Sequence, residues 1–374
     1  MEKNKKKLIV FIPSIEDGGV EKNLFLILNY ISKKIGSIDL ITFNNNNNYR
    51  FNKKINIINP YLNFSFISNR TPKYIFCLLT LIYKIIKNKN YLILSFQANI
   101  YVIILAKIFN IKIISRSNSS SAGWSKNFFK QFIFSIFFKK ADKIVVNSYD
   151  FKREMDKKYN INSLCILNPF DFRKIKLKSL EKTRKIYKKK NSLKLIAVGR
   201  LTHQKDFLTL LKAMKLLDGK RIFELIILGK GNEKIKLKNY LLKEKLNKNV
   251  KLIGYQKNPF KFIRQADILL LTSLFEGSPN ILVEALYLKK YIISTNCPTG
   301  PREILMNGKA GDLVKIGDYK SISKKILDYS TRNNKFKNQL KRKINFGYKN
   351  LNRFDYDLNM KKYYNLVKKH YKNG

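Results

Sequence analysis

Histidine and cysteine are scarce. The 374 residues include two histidines, His203 and His370, and three cysteines, Cys77, Cys165 and Cys297, with no CxxC spacing among them. A zinc site of Cys/His type and a disulfide framework are thereby excluded. Lone thiols this far apart read as buried apolar residues of a reducing compartment, so the expected location is cytoplasmic. Acidic residues are few as well: 25 Asp and Glu face 76 Lys and Arg, a formal charge of +51. This excludes an acidic disordered chain and suits polyanionic partners. It does not choose between nucleic acid, an anionic membrane surface and a phosphate-bearing substrate. With the asparagine run at residues 44–48 it also reads as compositional bias, so charge alone assigns no function.

Long hydrophobic runs are missing too. The longest, residues 74–83 and 128–138, fall short of the ~18–20 residues a spanning helix needs, and Lys130 interrupts the second. The basic residues 1–7 lead into an apolar stretch, residues 8–12, that stops at Pro13 and is too short for a signal peptide. No integral membrane segment and no leader are expected.

What is present is a large apolar fraction, 45%, arranged in short runs separated by helical-period segments. Residues 8–12, 38–43, 92–96, 112–115 and 143–146 form one series, the pattern of a parallel sheet covered by helices. A polar stretch, residues 173–192, reads as a linker. A second series follows at residues 193–198, 222–228, 251–253, 268–272 and 291–294, alternating with helical patterns such as 207–217 and 233–246. The expected fold class is α/β, with two tandem Rossmann-like, doubly wound domains: residues 1–172, linker 173–192, and residues 193–351. The basic, aromatic tail at about 352–374 carries Leu358, Met360, Tyr363, Leu366 and Val367 at helical spacing and must pack on something. Doubly wound domains bind ligands beyond the carboxyl ends of their strands, so motifs should follow strands, and a substrate pair would meet in a cleft between facing domains.

Two constellations satisfy this. Gly199-Arg-Leu-Thr-His-Gln-Lys205 lies between an apolar strand and a helix; glycine permits the turn, and Arg200 and Lys205 suit a diphosphate beside the positive end of a helix. Phe275-Glu-Gly-Ser-Pro-Asn-Ile-Leu-Val-Glu-Ala285 follows the strand at 268–272 and is more specific. Glu276 and Glu284 form an E-x7-E pair, Gly277 and Ser278 make a small-residue turn, and a helix opens at Asn280 with Ile281 and Leu282. Backbone N–H groups at that end can hold phosphate, and a carboxylate further along can accept two hydrogen bonds from a ribose diol.

These residues, over about 193–318, resemble the donor-binding domain of glycosyltransferase family 4, the group 1 glycosyltransferases, retaining enzymes of the GT-B fold that use nucleotide-activated sugars. The resemblance extends through Leu228-Gly…Gly231, Val250-Lys-Leu-Ile-Gly-Tyr255, Ala266-Asp267 and Gly300-Pro…Glu303. It implies that Arg200 and Lys205 hold the donor diphosphate, Glu284 the ribose and Glu276 the transferred sugar, with Gly254 and Tyr255 beside the base. It also implies that the C-terminal helix packs back on the first domain. The first half matches through Ser14…Gly18-Gly-Val-Glu21, Ser95-Phe…Asn99, Ser115-Arg-Ser-Asn118, Asn147-Ser148 and Ile166-Leu-Asn-Pro169. In the family the Gly18-Gly19 loop would lie against donor phosphates and acceptor. Many members carry a His in the loop after the fourth strand, where this chain has Gln97 and Asn99. Gln97 cannot be a general base, and Arg116 and Asn118 become further candidates for a polar helper.

The implied activity is retaining transfer from a nucleoside diphosphate sugar, taken as UDP-linked, to a saccharide acceptor in cell-surface polysaccharide, lipopolysaccharide or lipid-linked oligosaccharide synthesis. No metal or other cofactor is expected. Asp355-Tyr-Asp357 has D-x-D spacing but lies in the helical tail, Gly229-Lys-Gly231 reads as a turn, and His203 reads as a loop residue. The aromatic and Lys-rich segment 124–140 suits a helix at an anionic membrane interface, giving a peripheral attachment and a lipid-borne acceptor as expectations. Two alternatives stand beside this reading. A nucleic-acid-binding protein would fit the charge, but neither an RNP-type motif nor a zinc spacing is present, so no nucleic acid is expected. A GT-B sugar-nucleotide epimerase would need acid/base side chains, which two histidines scarcely supply.

Overall fold

The structure is a computed structural model that describes residues 6–15, 18–43, 50–60, 70–118, 128–183, 185–330 and 334–372. The chain divides into two compact units, Met1–Pro169 with Tyr356–Gly374, and Phe170–Asp355.

In the first unit the order is β1 (Lys7–Phe11), α1 (Gly19–Ile35), β2 (Ile38–Ile41), β3 (Ile55–Ile58), α2 (Arg70–Lys87), β4 (Tyr91–Ser95), α3 (Asn99–Ile108), β5 (Lys112–Arg116), α4 (Phe128–Lys140), β6 (Lys143–Val146), α5 (Tyr149–Tyr159) and β7 (Leu164–Cys165). The second unit runs α6 (Phe172–Leu180), β8 (Leu193–Val198), α7 (Phe207–Leu217), β9 (Phe223–Leu228), α8 (Lys234–Lys243), β10 (Val250–Gly254), α9 (Phe260–Ile263) and β11 (Ile268–Leu271). It continues with α10 (Asn280–Tyr287), β12 (Tyr291–Thr295), α11 (Pro301–Ile304), β13 (Asp312–Val314), α12 (Tyr319–Tyr329) and α13 (Asn334–Lys349). Helix α14 (Tyr356–Lys372) returns to the first unit.

Each unit is a parallel sheet. The orders are β3-β2-β1-β4-β5-β6-β7 and β10-β9-β8-β11-β12-β13. Strands β4, β9 and β12 are buried along their whole length, as a sheet covered on both faces requires. In both sheets the winding reverses once, between β1 and β4 and between β8 and β11. Right-handed crossovers then send α1 to one face of the first sheet and α2, α3 and α4 to the other. The doubly wound architecture expected from the sequence is therefore the one observed.

Helix α14 packs on α1, as the resemblance implied. Met360, Tyr363 and Val367 are fully buried in the core that includes Leu8, Val10 and Leu24, while Leu358 stays 44% exposed, outside the stripe expected of it. The anchor is Arg116 at the end of β5, itself fully buried. Its Nε donates to the Tyr363 hydroxyl oxygen at 2.8 Å, Nη2 to Asn168 Oδ1 at 2.8 Å and Nη1 to Asn118 Oδ1, and its guanidinium lies 5.3 Å from the Phe96 ring centroid.

The polar residues 173–192, read from composition as a linker, hold α6 and a pinned turn. Helix α6 packs on α9, with Asp171 capping it by accepting from Lys174 N at 2.9 Å. The turn is fastened by Glu224, a buried acid inside β9 that accepts from the backbone N–H groups of Lys188 and Lys189 at 2.9 and 2.8 Å and from Ser192 Oγ at 3.0 Å. Burial alone would raise its pKa, but these donors and nearby Lys251 hold the carboxyl below its usual range. The acid that fastens this stretch lies 32 residues beyond Ser192 in the sequence.

Replacing Tyr363 by Phe keeps the ring and removes the acceptor for a buried guanidinium N–H. Such an orphaned donor costs about 1–3 kcal/mol, more for a charged group, so the thermal midpoint of Tyr363→Phe should fall. An unchanged midpoint in calorimetry would mean that α14 is held by apolar packing alone.

Candidate functional site

In the second unit the winding reverses between β8 and β11, so the loops after these two strands leave toward opposite faces and open a crevice between them. Both sequence constellations lie here. The loop after β8, residues 199–206, is folded by Asp206, which takes a left-handed conformation (φ 42°) and caps α7 by accepting from Thr209 N at 3.3 Å. Its Lys205 side chain packs over Gly199; a Cβ on Gly199 would stand 3.3 Å from Lys205 Cε. A side chain at position 199 would crowd the lysine stem, which would have to shift by a few tenths of an ångström.

Lys205 reaches across to the loop after β11 and pairs with Glu276 Oε1, the two side chains being 15% and 8% exposed. Ser273 Oγ donates to the same oxygen at 2.7 Å. Further bonds tie the loops: Thr272 Oγ1 donates to Lys205 O at 2.9 Å, Gln204 Nε2 to Phe275 O at 2.8 Å and Leu274 N to Gln204 O at 2.9 Å. A third loop, after β12, presses from below. Thr299 donates through Oγ1 to Glu276 O at 2.6 Å from a left-handed backbone (φ 56°), a costly conformation for a β-branched residue. Gly300 follows at φ 87°, and a Cβ there would come within 2.7 Å of Gly277 O. Thus Gly277 is held by the turn that also holds Glu276.

Helix α10 opens directly after this loop. Pro279 at its N-cap provides no side-chain cap, and the helix buries Ile281, Leu282 and Glu284, the last only 4% exposed. Ser278 and Asn280 are half-buried at its mouth, and Arg200 is exposed on the facing loop. Beyond the crevice, Gly254 (φ 90°) accepts from Gly229 N at 2.9 Å, and Tyr255, 41% exposed, has Lys230 Nζ 5.1 Å from its ring centroid. The donor-side residues singled out from the second half of the sequence therefore lie on the loops or helix around one switch point, or on the neighbouring end of β10, whereas Gly18 and Gly19 belong to the first unit, at the start of α1. His203 is exposed on the same loop.

The sequence alone gives no role here to Thr299, Ser273, Gly229 or Gly231. Thr299 and Ser273 carry no motif of their own beyond a hydroxyl near Glu276. Gly229 and Gly231 read as a turn, yet a Cβ on them would meet Gly199 O at 1.8 Å and Leu201 O at 2.2 Å, so this turn is the floor on which the Gly199 loop rests. Cys297 is buried beside the site; burial first, then the nearby Glu276 carboxylate, push its thiol up to about 12. It remains protonated at neutral pH and is no nucleophile there.

The first unit has its own switch point, between β1 and β4. Gln97 spans it: Ser14 N donates to Gln97 Oε1 at 3.1 Å and Gln97 Nε2 donates to Ser14 O at 2.9 Å. Glu21, buried in α1, accepts from Gly18 N at 3.1 Å and so fixes the Gly18-Gly19 entry to the helix. Asn99 accepts from Ser95 Oγ at 3.0 Å and donates to Arg116 O at 3.0 Å, while Asn118 Nδ2 donates to Phe96 O at 3.1 Å. Arg116 points inward to Tyr363, so of the four candidate helpers it is the one wholly committed to the core. Among the described residues no group of three or more His, Cys, Asp or Glu side chains comes together as a metal site, and Asp357 of the D-x-D sequence is exposed in the first turn of α14.

Residues 179–346 match the family model of the glycosyl transferases group 1. An uncharacterized glycosyltransferase of Methanocaldococcus jannaschii is 36% identical over 218 residues, 54% of this chain and 54% of that protein, so the match spans about half its length. The N-acetylgalactosamine-N,N'-diacetylbacillosaminyl-diphospho-undecaprenol 4-alpha-N-acetylgalactosaminyltransferase of Campylobacter jejuni is 27% identical over 342 residues, 85% of this chain and 88% of that one. The crystal structure of Anabaena HepE in complex with UDP superposes with a TM-score of 0.75 at 14% identity, covering 97% of this chain and 100% of that one, a likeness of fold. Over residues 179–346 the chain is thus similar to the glycosyl transferases group 1.

Proposed function

We propose that the protein is a retaining glycosyltransferase that moves a sugar from a nucleoside diphosphate sugar, UDP-linked, to a saccharide acceptor of cell-surface polysaccharide, lipopolysaccharide or lipid-linked oligosaccharide synthesis. The observation that carries this is the Lys205–Glu276 pair set across the β8/β11 switch point beside the start of α10. A lysine ammonium has three donors; one serves Glu276, and the others suit the departing diphosphate. Arg200 and the α10 N-terminus add positive potential where charge develops in the transition state. Glu276, whose Oε1 takes Lys205 and Ser273, offers Oε2 to a hydroxyl of the transferred sugar. Glu284 accepts from the ribose diol, with Gly254 and Tyr255 beside the base. Departure and attack on one face of an oxocarbenium-like sugar keep the anomeric configuration without a protein nucleophile.

The UDP named for HepE and the diphospho-undecaprenol acceptor named for the Campylobacter relative support the donor and a lipid-borne acceptor. Work at the cytoplasmic face of a membrane follows from such an acceptor and from the +51 charge. No metal is called for in this scheme, because two cations and a helix dipole take its place.

Arg200→Ala and Lys205→Ala should each lower transfer on the order of ten-fold to a thousand-fold. UDP at a hundred times its Kd should add roughly 2.7 kcal/mol of stability to the native protein, and both variants should lose much of that protection. Lys205→Ala also strands Glu276, so a lower midpoint without ligand is expected for it and not for Arg200→Ala. Normal transfer by both variants would overturn the phosphate assignment.

Glu284→Gln keeps the shape of the helix but weakens acceptance from the ribose, and should raise the donor KM more than it lowers kcat. Transfer should persist in excess chelator. Loss of activity there, with rescue by manganese, would replace the metal-free scheme.

A further inference from the structure

Helix α14 shows what a covered surface helix looks like in this fold: Met360, Tyr363 and Val367 face the core and Lys361, Lys362, Asn365, Lys368 and Lys369 face outward. Helix α2 departs from that pattern. Its inner face buries Cys77, Leu81 and Ile85, yet its outer face presents Ile75, Leu79, Tyr83 and Ile86, which are 53%, 56%, 41% and 64% exposed. Their spacing, i, i+4, i+8 and i+11, makes one continuous stripe. A helix apolar on both faces is normally buried on both.

The stripe does not stand alone. Helix α3 packs against α2 and exposes Tyr101 and Ile108; α4 packs against α3 and exposes Phe132 and Ile136. All three helices cover the same face of the first sheet. Their sequences contain Arg70, Lys73, Lys84, Lys87, Lys107, Lys130, Lys139 and Lys140 and no acidic residue; of these cations Lys107 is paired with Asp142, just beyond α4, at 2.9 Å. None of them is long and apolar enough to cross a membrane.

We propose that the outer face of α2, continued over α3 and α4, docks on an anionic lipid surface, with the aliphatic stripe at headgroup depth and the lysines on lipid phosphates. Charge selects this occupant. A second copy laid on the same face would oppose lysine to lysine, whereas anionic lipid neutralises them. The inference rests on the membrane-borne acceptor proposed above and deepens it by naming the surface. It also relocates the contact expected from sequence at residues 124–140. Residues 124–127 lie outside the described residues, and Phe138 of α4 is 3% exposed, packed 5.3 Å from the Tyr159 ring, so it belongs to the core.

The test is co-sedimentation of the full chain with phosphatidylglycerol/phosphatidylcholine vesicles and with pure phosphatidylcholine. Wild type should bind the anionic vesicles at low salt and release as salt rises. The triple variant Ile75→Ser, Leu79→Ser, Ile86→Ser should bind them at least about ten-fold more weakly, with UDP protection intact. Lys361, Lys362, Lys368 and Lys369 changed to Glu on α14 should matter much less, although net charge falls further. Should the triple variant not fold, Ile86→Ser alone, at the most exposed site, gives the same comparison. Equal binding by wild type and variant, or no binding of wild type to anionic vesicles, overturns the proposal. A wild-type dimer in light scattering that the triple variant abolishes, with vesicle binding unchanged, makes the face a contact between copies. Failure of the glycosyltransferase reading would appear separately, as absent UDP protection in wild type.

Discussion

The buried ion pair between Lys205 and Glu276 is the interaction on which the second unit's site depends. It joins the loops after β8 and β11 at the place where the winding of the sheet forces them apart. A pair this dry contributes little net stability, because desolvation consumes most of its Coulombic gain; removing one partner is what costs, at about 3–5 kcal/mol. Its use is therefore geometric. With Lys205 and Glu276 engaged, the ammonium and the carboxylate stand side by side.

That geometry is over-determined by backbone packing. Gly199 lets the lysine stem lie flat, and Gly229 and Gly231 let the next loop support it. Thr299 and Gly300, both at positive φ, clamp Glu276 and Gly277 from the third loop. Strain at Thr299 persists because the Oγ1 bond to Glu276 O and the tight fit of Gly300 leave the turn no other course. Four loops thus converge on two side chains, which is the preorganisation that electrostatic stabilisation of a leaving group requires.

Legibility from sequence followed the same physics. The central strands announced themselves because burial on both faces demands unbroken apolar runs, and α7 was read at residues 207–217 as observed because its apolar period is uninterrupted. The strands that went unread, β3, β7 and β13, are all sheet edges of two to four residues, where one neighbour is missing and the hydrophobic demand is slight. The glycine and acidic motifs were legible because only a few residue types can make such turns and pairs. Arg116 is one of the candidate helpers in the sequence because a cation at a strand end looks like a site residue; its bond to Tyr363, 247 residues away, is tertiary information. The turn fastened by Glu224 was hidden for the same reason.

The two units solve the same topological problem with different chemistry. At the β1/β4 switch point the bridge is Gln97, a neutral amide paired both ways with the Ser14 backbone, with Asn99 and Asn118 arranged behind it. At the β8/β11 switch point the bridge is a lysine and a glutamate, with Arg200 nearby. An amide bridge is matched to hydroxyls, which need donors and acceptors but no countercharge, whereas a cation-bearing one is matched to a diphosphate. The bridge needs one donor and one acceptor, held rigidly, and glutamine at position 97 supplies both without a titrating group. This contrast supports the proposed division of labour, in which charge is concentrated where the leaving group forms.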